Sequence, residues 1–362
     1  MYKKNLPKFI VLIFIVLIIT GCFSENNLII YESHATKISY RITYGYQINC
    51  SGEGELTILY DCDTPEVLKG TTEIENILDK TYFSKTIATH NDIISWNITT
   101  TNCTNYKLGL TANIVAESSV ISDLNGENAL NIQQIKEIRP DLINKYCNLQ
   151  ANETITFINP TDLDIINLAY EQYEKANSDN ALIVAKELFK WLKEKTIYTT
   201  HIDKNNVQTS SYTLEKCTGD CDDLSFLYIS LCRAVKIPAR FIRGFLVEDN
   251  NAIPHAWTEV YVGGGIGNNG WISVECAGTA KGDNKLQYEL HQNFGIESAN
   301  YLRLFIDDGS NESLIESFKG ISYLADSTLD IDSPSSLIKV QNYMELESHE
   351  LHVDKNNIRK YR

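Results

Sequence analysis

The stretch GDCDDLSFLYISLCRAVKIPAR, residues 219–240, puts Cys221 where a helical pattern begins, with Gly219 two residues before it and Asp222 and Asp223 directly after. A cysteine at a helix N-terminus has its thiolate stabilised by unsatisfied amides and by the positive end of the helix dipole. Its own amide can also form one arm of an oxyanion hole. Downstream, PHAWTEVYV sets His255 at the start of a strand, sharing one face with Trp257, Glu259 and Tyr261 by alternation. Beyond a glycine-rich loop, GWISVE ends the next strand on Glu275. A thiol, an imidazole and a carboxylate are the nucleophile, base and orienter of acyl transfer. In that assignment His255 holds the thiolate as an ion pair and later protonates the leaving amine. Glu275 fixes the imidazole tautomer and supports its charge. Asp220, Asp222 and Asp223 oppose a thiolate by repulsion.

These side chains need particular elements to hold them. Leu224, Leu227, Tyr228, Leu231 and Cys232 form an apolar stripe, which predicts a helix over about 222–235. Strands follow at 240–247, 256–262 and 271–275, and the loop VGGGIGNNGW between the last two reads as a hairpin loop. It opens no helix, so it is not a nucleotide loop. Upstream, Thr161 and Asp164 have capping-box spacing at the head of one helix. A second helix carries Leu182, Ala185, Leu188, Phe189 and Leu192 on one face, and 199–217 reads as a polar loop. Helices followed by antiparallel strands give an α+β core.

Earlier still, KISYRITYGYQI alternates with period two, and after the turn SGEGE the pattern resumes at Leu56, Ile58 and Tyr60, which reads as a hairpin. Residues 29–122 are expected to form a β-sandwich-like domain, 123–158 a helical connector broken at Pro140, and 324–362 a polar tail. The tail's HELH, ending at His352, reads as solvated surface.

The three motifs resemble those of the transglutaminase-like superfamily of papain-like thiol enzymes. The first matches at Gly219, Cys221, Arg233, Ala234, Ile237, Pro238, Ala239 and Arg240 without a gap, within a resemblance over about 160–310. It implies a papain-like fold for 159–323 and catalytic roles for Cys221, His255 and Glu275. Three positions depart from the family pattern: Lys236 stands where glycine is usual, Glu275 where aspartate is, and Cys276 where proline is common. Glutamate is longer by one methylene, so it orients a histidine only if backbone or rotamer compensates. Calcium-dependent members of the superfamily flank their cysteine with acids, and GDCDD is similar. Asp220 and Asp222 are therefore candidate calcium ligands, the alternative being that they cap the helix. The chemistry itself requires no cofactor. Arg240 is read as packing or a local ion pair.

Lys3, Lys4 and Lys8 precede an uncharged apolar block at 9–20, the pattern of a signal peptide. IITGC follows and resembles a lipobox, which implies cleavage before Cys22 and a lipid on its sulfur; an uncleaved anchor or a plain signal is the alternative. Each places the rest of the chain outside the cytoplasm. Acceptor triplets for N-glycosylation begin at Asn49, Asn97, Asn102, Asn152 and Asn311. Eight further cysteines suit an oxidising compartment, with pairing left open. A net charge of -15 leaves no basic surface for nucleic acid.

The expected function is a membrane-anchored thiol hydrolase acting on a protein or peptide substrate outside the cytoplasm. Release of the acyl group to a lysine amine would make it a cross-linker instead. The reading from another class is a surface lipoprotein that keeps the fold as a binding or structural module.

Overall fold

The protein's structure, a computed structural model, describes residues 28–80, 83–87, 92–148, 157–200 and 207–362. Cys22, the apolar block before it and Asn152 lie outside the described residues. Six strands come first: β1 (Ile29–Gly52), β2 (Leu56–Asp63), β3 (Gly70–Leu78), β4 (Phe83–Thr86), β5 (Ile93–Thr100) and β6 (Asn105–Glu117). The short β7 (Ser119–Val120) then leads into helix α1 (Ile132–Ile138) and a π-helical turn, Ile143–Cys147. The next elements are α2 (Leu163–Ala176), α3 (Ala181–Lys195), β8 (Ile197–Tyr198), α4 (Ser210–Lys216), β9 (Thr218–Gly219) and α5 (Cys221–Ala234). After them come β10 (Ala239–Glu248), β11 (Asn251–Tyr261), β12 (Trp271–Val274), α6 (Asp283–Gln292), β13 (Ile296–Glu297), β14 (Tyr301–Ile306) and α7 (Asn311–Ser317). The chain closes with β15 (Ser322–Ala325), β16 (Leu329–Ile331), β17 (Ser335–Val353) and β18 (Arg359–Tyr361).

Alternation in β1 buries Ile38, Tyr40, Ile42 and Tyr44, as a strand with one covered face requires. Its partner differs from the expected one. β1 lies in a sheet ordered β18-β17-β1-β6-β3, whereas β2 lies in a second sheet, β15-β2-β5-β4. The turn at 53–55 crosses between sheets instead of closing a hairpin. Period two fixes which face is buried, and both sheets bury theirs against one shared core of β1, β2, β5 and β6 side chains. Cys50 and Cys103 form a disulfide within this sandwich, with Cα atoms 5.3 Å apart.

The segment read as a polar tail is structural. β17 pairs antiparallel with β1 from Ile29↔Val353 to Gln47↔Ser335. It is polar because much of it is exposed, and it still supplies main-chain partners to β1 along most of its length. Within it, His349 is hydrogen-bonded to Thr36 at 2.6 Å.

The second core gathers helices against the sheet β12-β11-β10-β14. Residues read as a connector belong to it: Ile132, Ile135, Leu142 and Tyr146 are all buried there. Two local readings shift. Helix α2 is capped by Asp162, which accepts from the Asp164 amide at 2.9 Å, one residue later than expected. Part of the supposed loop is α4, capped by Thr209. Helix α3 buries the expected face and adds Lys193, which pairs with Glu289 at 3.0 Å.

Candidate active site

The thiol is positioned by a two-residue parallel ladder and a cap. β8 lies beside β9, with Tyr198 opposite Gly219, so the chain leaving α3 runs past the start of α5. Asp220 is the N-cap of α5: its Oδ1 accepts from the amides of Asp222 at 3.2 Å and Asp223 at 3.4 Å. Asp223 answers with Oδ2 on the Asp220 amide at 3.1 Å, a reciprocal capping box. The fully buried Asp223 also accepts from the Gln208 amide at 2.7 Å, tying the preceding loop to the helix. This box explains the glycine of the motif, because a Cβ on Gly219 would sit 2.6 Å from the Cβ of Asp223. Cys221 follows as the first helical residue, half-buried and without a disulfide; Cys217 and Cys276 are free as well.

The imidazole and carboxylate meet where β12 ends. β12 pairs with β11 only between Tyr261 and Thr258, and β11 continues past it to His255. Glu275, the residue after β12, places Oε2 2.7 Å from His255 Nε2. The same oxygen accepts from the Tyr301 hydroxyl, and Oε1 accepts from the Ala277 amide at 2.7 Å. The extra methylene is thus absorbed: the side chain turns back onto its own backbone and a tyrosine braces it. His255 also packs its ring 6.0 Å from that of Trp257 and 5.4 Å from that of Tyr301. With Nε2 taken, Nδ1 is the nitrogen left for a thiol. The Ala256 amide, next in the chain to His255, hydrogen-bonds the Cys221 sulfur, and the Glu275 carboxylate acts on the thiol through space.

The sequence pattern of the transglutaminase-like superfamily matches residues 167–276, which span all three motifs. Residues 167–276 are a transglutaminase-like domain. The crystal structure of a "putative cysteine protease" from Cytophaga hutchinsonii is similar to the chain with a TM-score of 0.48 and 14% identity, covering 92% of this chain and 100% of that one. The periplasmic domain of TgpA from Pseudomonas aeruginosa has a TM-score of 0.36 and 13% identity, covering 67% of this chain and 92% of its own. No curated protein matches the chain.

The electrostatics of this transglutaminase-like site are uneven. Burial pushes the Cys221 thiol well above its ordinary range, and Asp222 and Asp220 push the same way against the Ala256 amide. Asp222 is pushed up to about 7, by burial first and by the charge of Asp220 next, with Arg243 and His255 opposing. Burial works against a charged His255, yet the charge and hydrogen bond of Glu275 raise it overall. Burial likewise opposes ionisation of Glu275, but His255, helped by Lys193 and Tyr301, holds it below the usual carboxylate value.

The acids expected as calcium ligands have other roles in this structure. The Oδ1 of Asp220 is spent on the helix cap, and Asp222 lies under the influence of Arg243. Among the described residues, no three His, Cys, Asp or Glu side chains cluster as a metal site. Arg240 pairs with Glu259, its Nε donating at 2.7 Å.

Two site residues were not anticipated. Tyr301 sits on β14, a strand the sequence reading did not include, although YLRLFI has strand composition. Tyr198 lies on β8, beyond the end of α3, with no local signal, and the β8–β9 ladder sets it beside the start of α5. Its hydroxyl is pushed up to about 12, by burial first and then by Cys221 and Asp220. Tyr212 is exposed on α4.

Proposed function

We propose that this chain is a thiol amidohydrolase acting outside the cytoplasm on a peptide or isopeptide bond. The observation that carries the reading is the 2.7 Å His255–Glu275 contact beside a capped helix start bearing an unpaired cysteine. His255 Nδ1 takes the proton of the Cys221 thiol, the thiolate attacks the carbonyl carbon, and Glu275 supports the imidazolium. Negative charge then develops on the carbonyl oxygen. The cap claims the amides of Asp222 and Asp223, which leaves the Cys221 amide as a donor for that oxygen. Collapse expels the amine, which takes the proton from His255. Water, deprotonated by the same imidazole, attacks the thioester and frees the carboxylate. A lysine amine in place of that water would give a cross-link.

The location rests on the basic and apolar start of the chain and on the Cys50–Cys103 disulfide, a bond typical of oxidising compartments. Attachment through Cys22 is part of the proposal. No helix among the described residues is long and apolar enough to cross a membrane. A binding module with a silent thiol is the second reading, and the acids around Cys221 favour it.

The test is the pH–rate profile of iodoacetamide alkylation at Cys221, read by peptide mass spectrometry, with and without calcium. The rate is expected to level off below about pH 8.5, the ordinary thiol value. His255→Ala should lose that plateau and react about 100-fold more slowly at pH 7. A rate that climbs only at alkaline pH in both proteins would sink the enzyme reading. A plateau that needs calcium would restore Asp220 and Asp222 as its ligands.

A further inference from the structure

The helical core and the sandwich meet along β10. On one face of this strand, Ala239 and Phe241 pack into the helical core, while Phe245 and Val247 pack into the sandwich core. Arg243 lies between them. A cleft of about 940 Å³ opens at this seam, walled on the sandwich side by Tyr46, Tyr60, Asp61 and Asp63 and on the other by Arg243 and Pro254. That volume suits a ligand several side chains across.

The cleft adjoins the candidate catalytic group. His255 directly follows Pro254 in the chain, and it pairs with Gly244, which also lines the cleft. Arg243 itself pairs with Ala256, whose amide hydrogen-bonds the Cys221 sulfur, so the cleft floor lies one strand from the thiol's partner, on the face of the sheet opposite the His255 ring. The Arg243 charge acts on Asp222, next to the thiol, and on Asp63 within the cleft. A β-bulge interrupts the β10–β14 register between Arg243 and Gly244, the kind of irregularity that re-aims side chains beside a site.

The charge of the cleft is unbalanced. Arg243 is shared between Asp63 and Asp222 and also lies over the Phe318 ring at 4.9 Å. Lys319 is taken by Glu316. Asp61 is exposed and adds its repulsion to Asp63, which burial already pushes up to about 6 in spite of Arg243. Beside these carboxylates is an aromatic array: Tyr46 meets Tyr60 edge-on at 5.2 Å, and Tyr60 stacks on Trp96 at 5.5 Å. Carboxylates next to aromatic rings suit a cation carried on an alkyl stem.

We propose that this cleft is a substrate subsite for a basic side chain, a lysine or arginine of the peptide whose carbonyl reaches Cys221. The proposal rests on the thiol-hydrolase reading. Asp61 and Asp63 select the cation. Tyr46, the half-buried ring of the aromatic array, is the one that meets the stem.

The test is protection of Cys221 from iodoacetamide by two acetylated pentapeptide amides, identical except for lysine or norleucine at the centre. The lysine peptide is expected to protect at a concentration at least about tenfold lower, about 1.4 kcal/mol of preference. Asp61→Asn, with its fold checked by circular dichroism, should shrink that preference, and Asp61→Asn/Asp63→Asn should abolish it. Equal protection by the two peptides, or a preference that survives both variants, overturns the subsite. Better protection by a glutamate peptide overturns it as well. An unactivated alkylation rate without any peptide instead removes the catalytic reading, so the two failures are distinguishable.

Discussion

Two groups of buried charge share strand β11, and they are built differently. Around Glu259 every charge is answered. Arg240 and Arg303 both donate to it at 2.7 Å, Arg303 continues to Glu297 at 2.7 Å, and Ser273 closes the chain on Glu297 at 2.5 Å. Around Cys221 the charges are less closely matched: three aspartates and a glutamate meet one imidazole, a shared arginine and, on Glu275, the charge of Lys193. Against the cost of burial, Arg303 and Arg240 hold Glu259 down to about 2, whereas Asp222 is pushed up to about 7. A closed network holds the sheet together. An open one keeps groups poised to change protonation, the arrangement that the proposed chemistry needs.

The largest expected effect breaks the closed side. Glu259→Gln leaves two arginines buried without their shared carboxylate, and it should cost about 3–5 kcal/mol in urea unfolding. Because folding depresses Glu259 from 4.5, its contribution is complete above that pH and fades as pH falls towards 2. A loss below about 1 kcal/mol would remove the contrast between the two groups. A smaller effect sharpens the open side. Asp222→Asn removes a negative charge that opposes the thiolate, so alkylation of Cys221 at pH 8 should rise about tenfold, equivalent to one pKa unit. Folding raises the pKa of Asp222, so its cost is absent below the ordinary aspartate range and complete above about 7. The variant should therefore gain more stability at pH 8 than at pH 4, and an equal gain would show that Asp222 is not buried as an acid. The smallest effect concerns Lys236, which sits at φ +66 after α5. Lys236→Gly relieves that strain but loses the Nζ hydrogen bond to the Cys147 carbonyl at 2.9 Å. The two should cancel to within about 1 kcal/mol by thermal unfolding.

That lysine also shows what the sequence could and could not reveal. The motif resemblance marked position 236 as a glycine site, and the left-handed backbone there supplies the physical reason. Helix α5, strands β10 to β12 and the two sandwich strands nearest the start were legible because local periodicity writes them into the chain. Cys221, His255 and Glu275 were each singled out by a motif of their own: Cys221 opens α5, Glu275 follows β12, and His255 lies within β11 beyond the end of β12. Pairing was not legible. Nothing local in Ser335–Val353 says that it completes the sheet around β1, since an exposed strand reads as polar whether or not it is paired. Tyr301 and Tyr198 escaped for a similar reason: each reaches the site through a tertiary contact that its neighbours in sequence do not encode. The length of Glu275 is accommodated by the Ala277 amide and the Tyr301 hydroxyl, neither of which its own motif encodes.

β1 lies between β6 and β17, one early in the chain and the other near its end. The transglutaminase-like core is therefore enclosed between two parts of a single sandwich. Its order of assembly follows from this. A chain emerging from its N-terminus can form β1, β6 and the whole helical core while one edge of β1 still has no partner. Contacts that distant in sequence form late and slowly. Until β17 arrives, the longest strand of the protein offers an open edge to other chains. Truncation before Ser335 would leave the reactive group intact in sequence and the molecule prone to stick to its own copies.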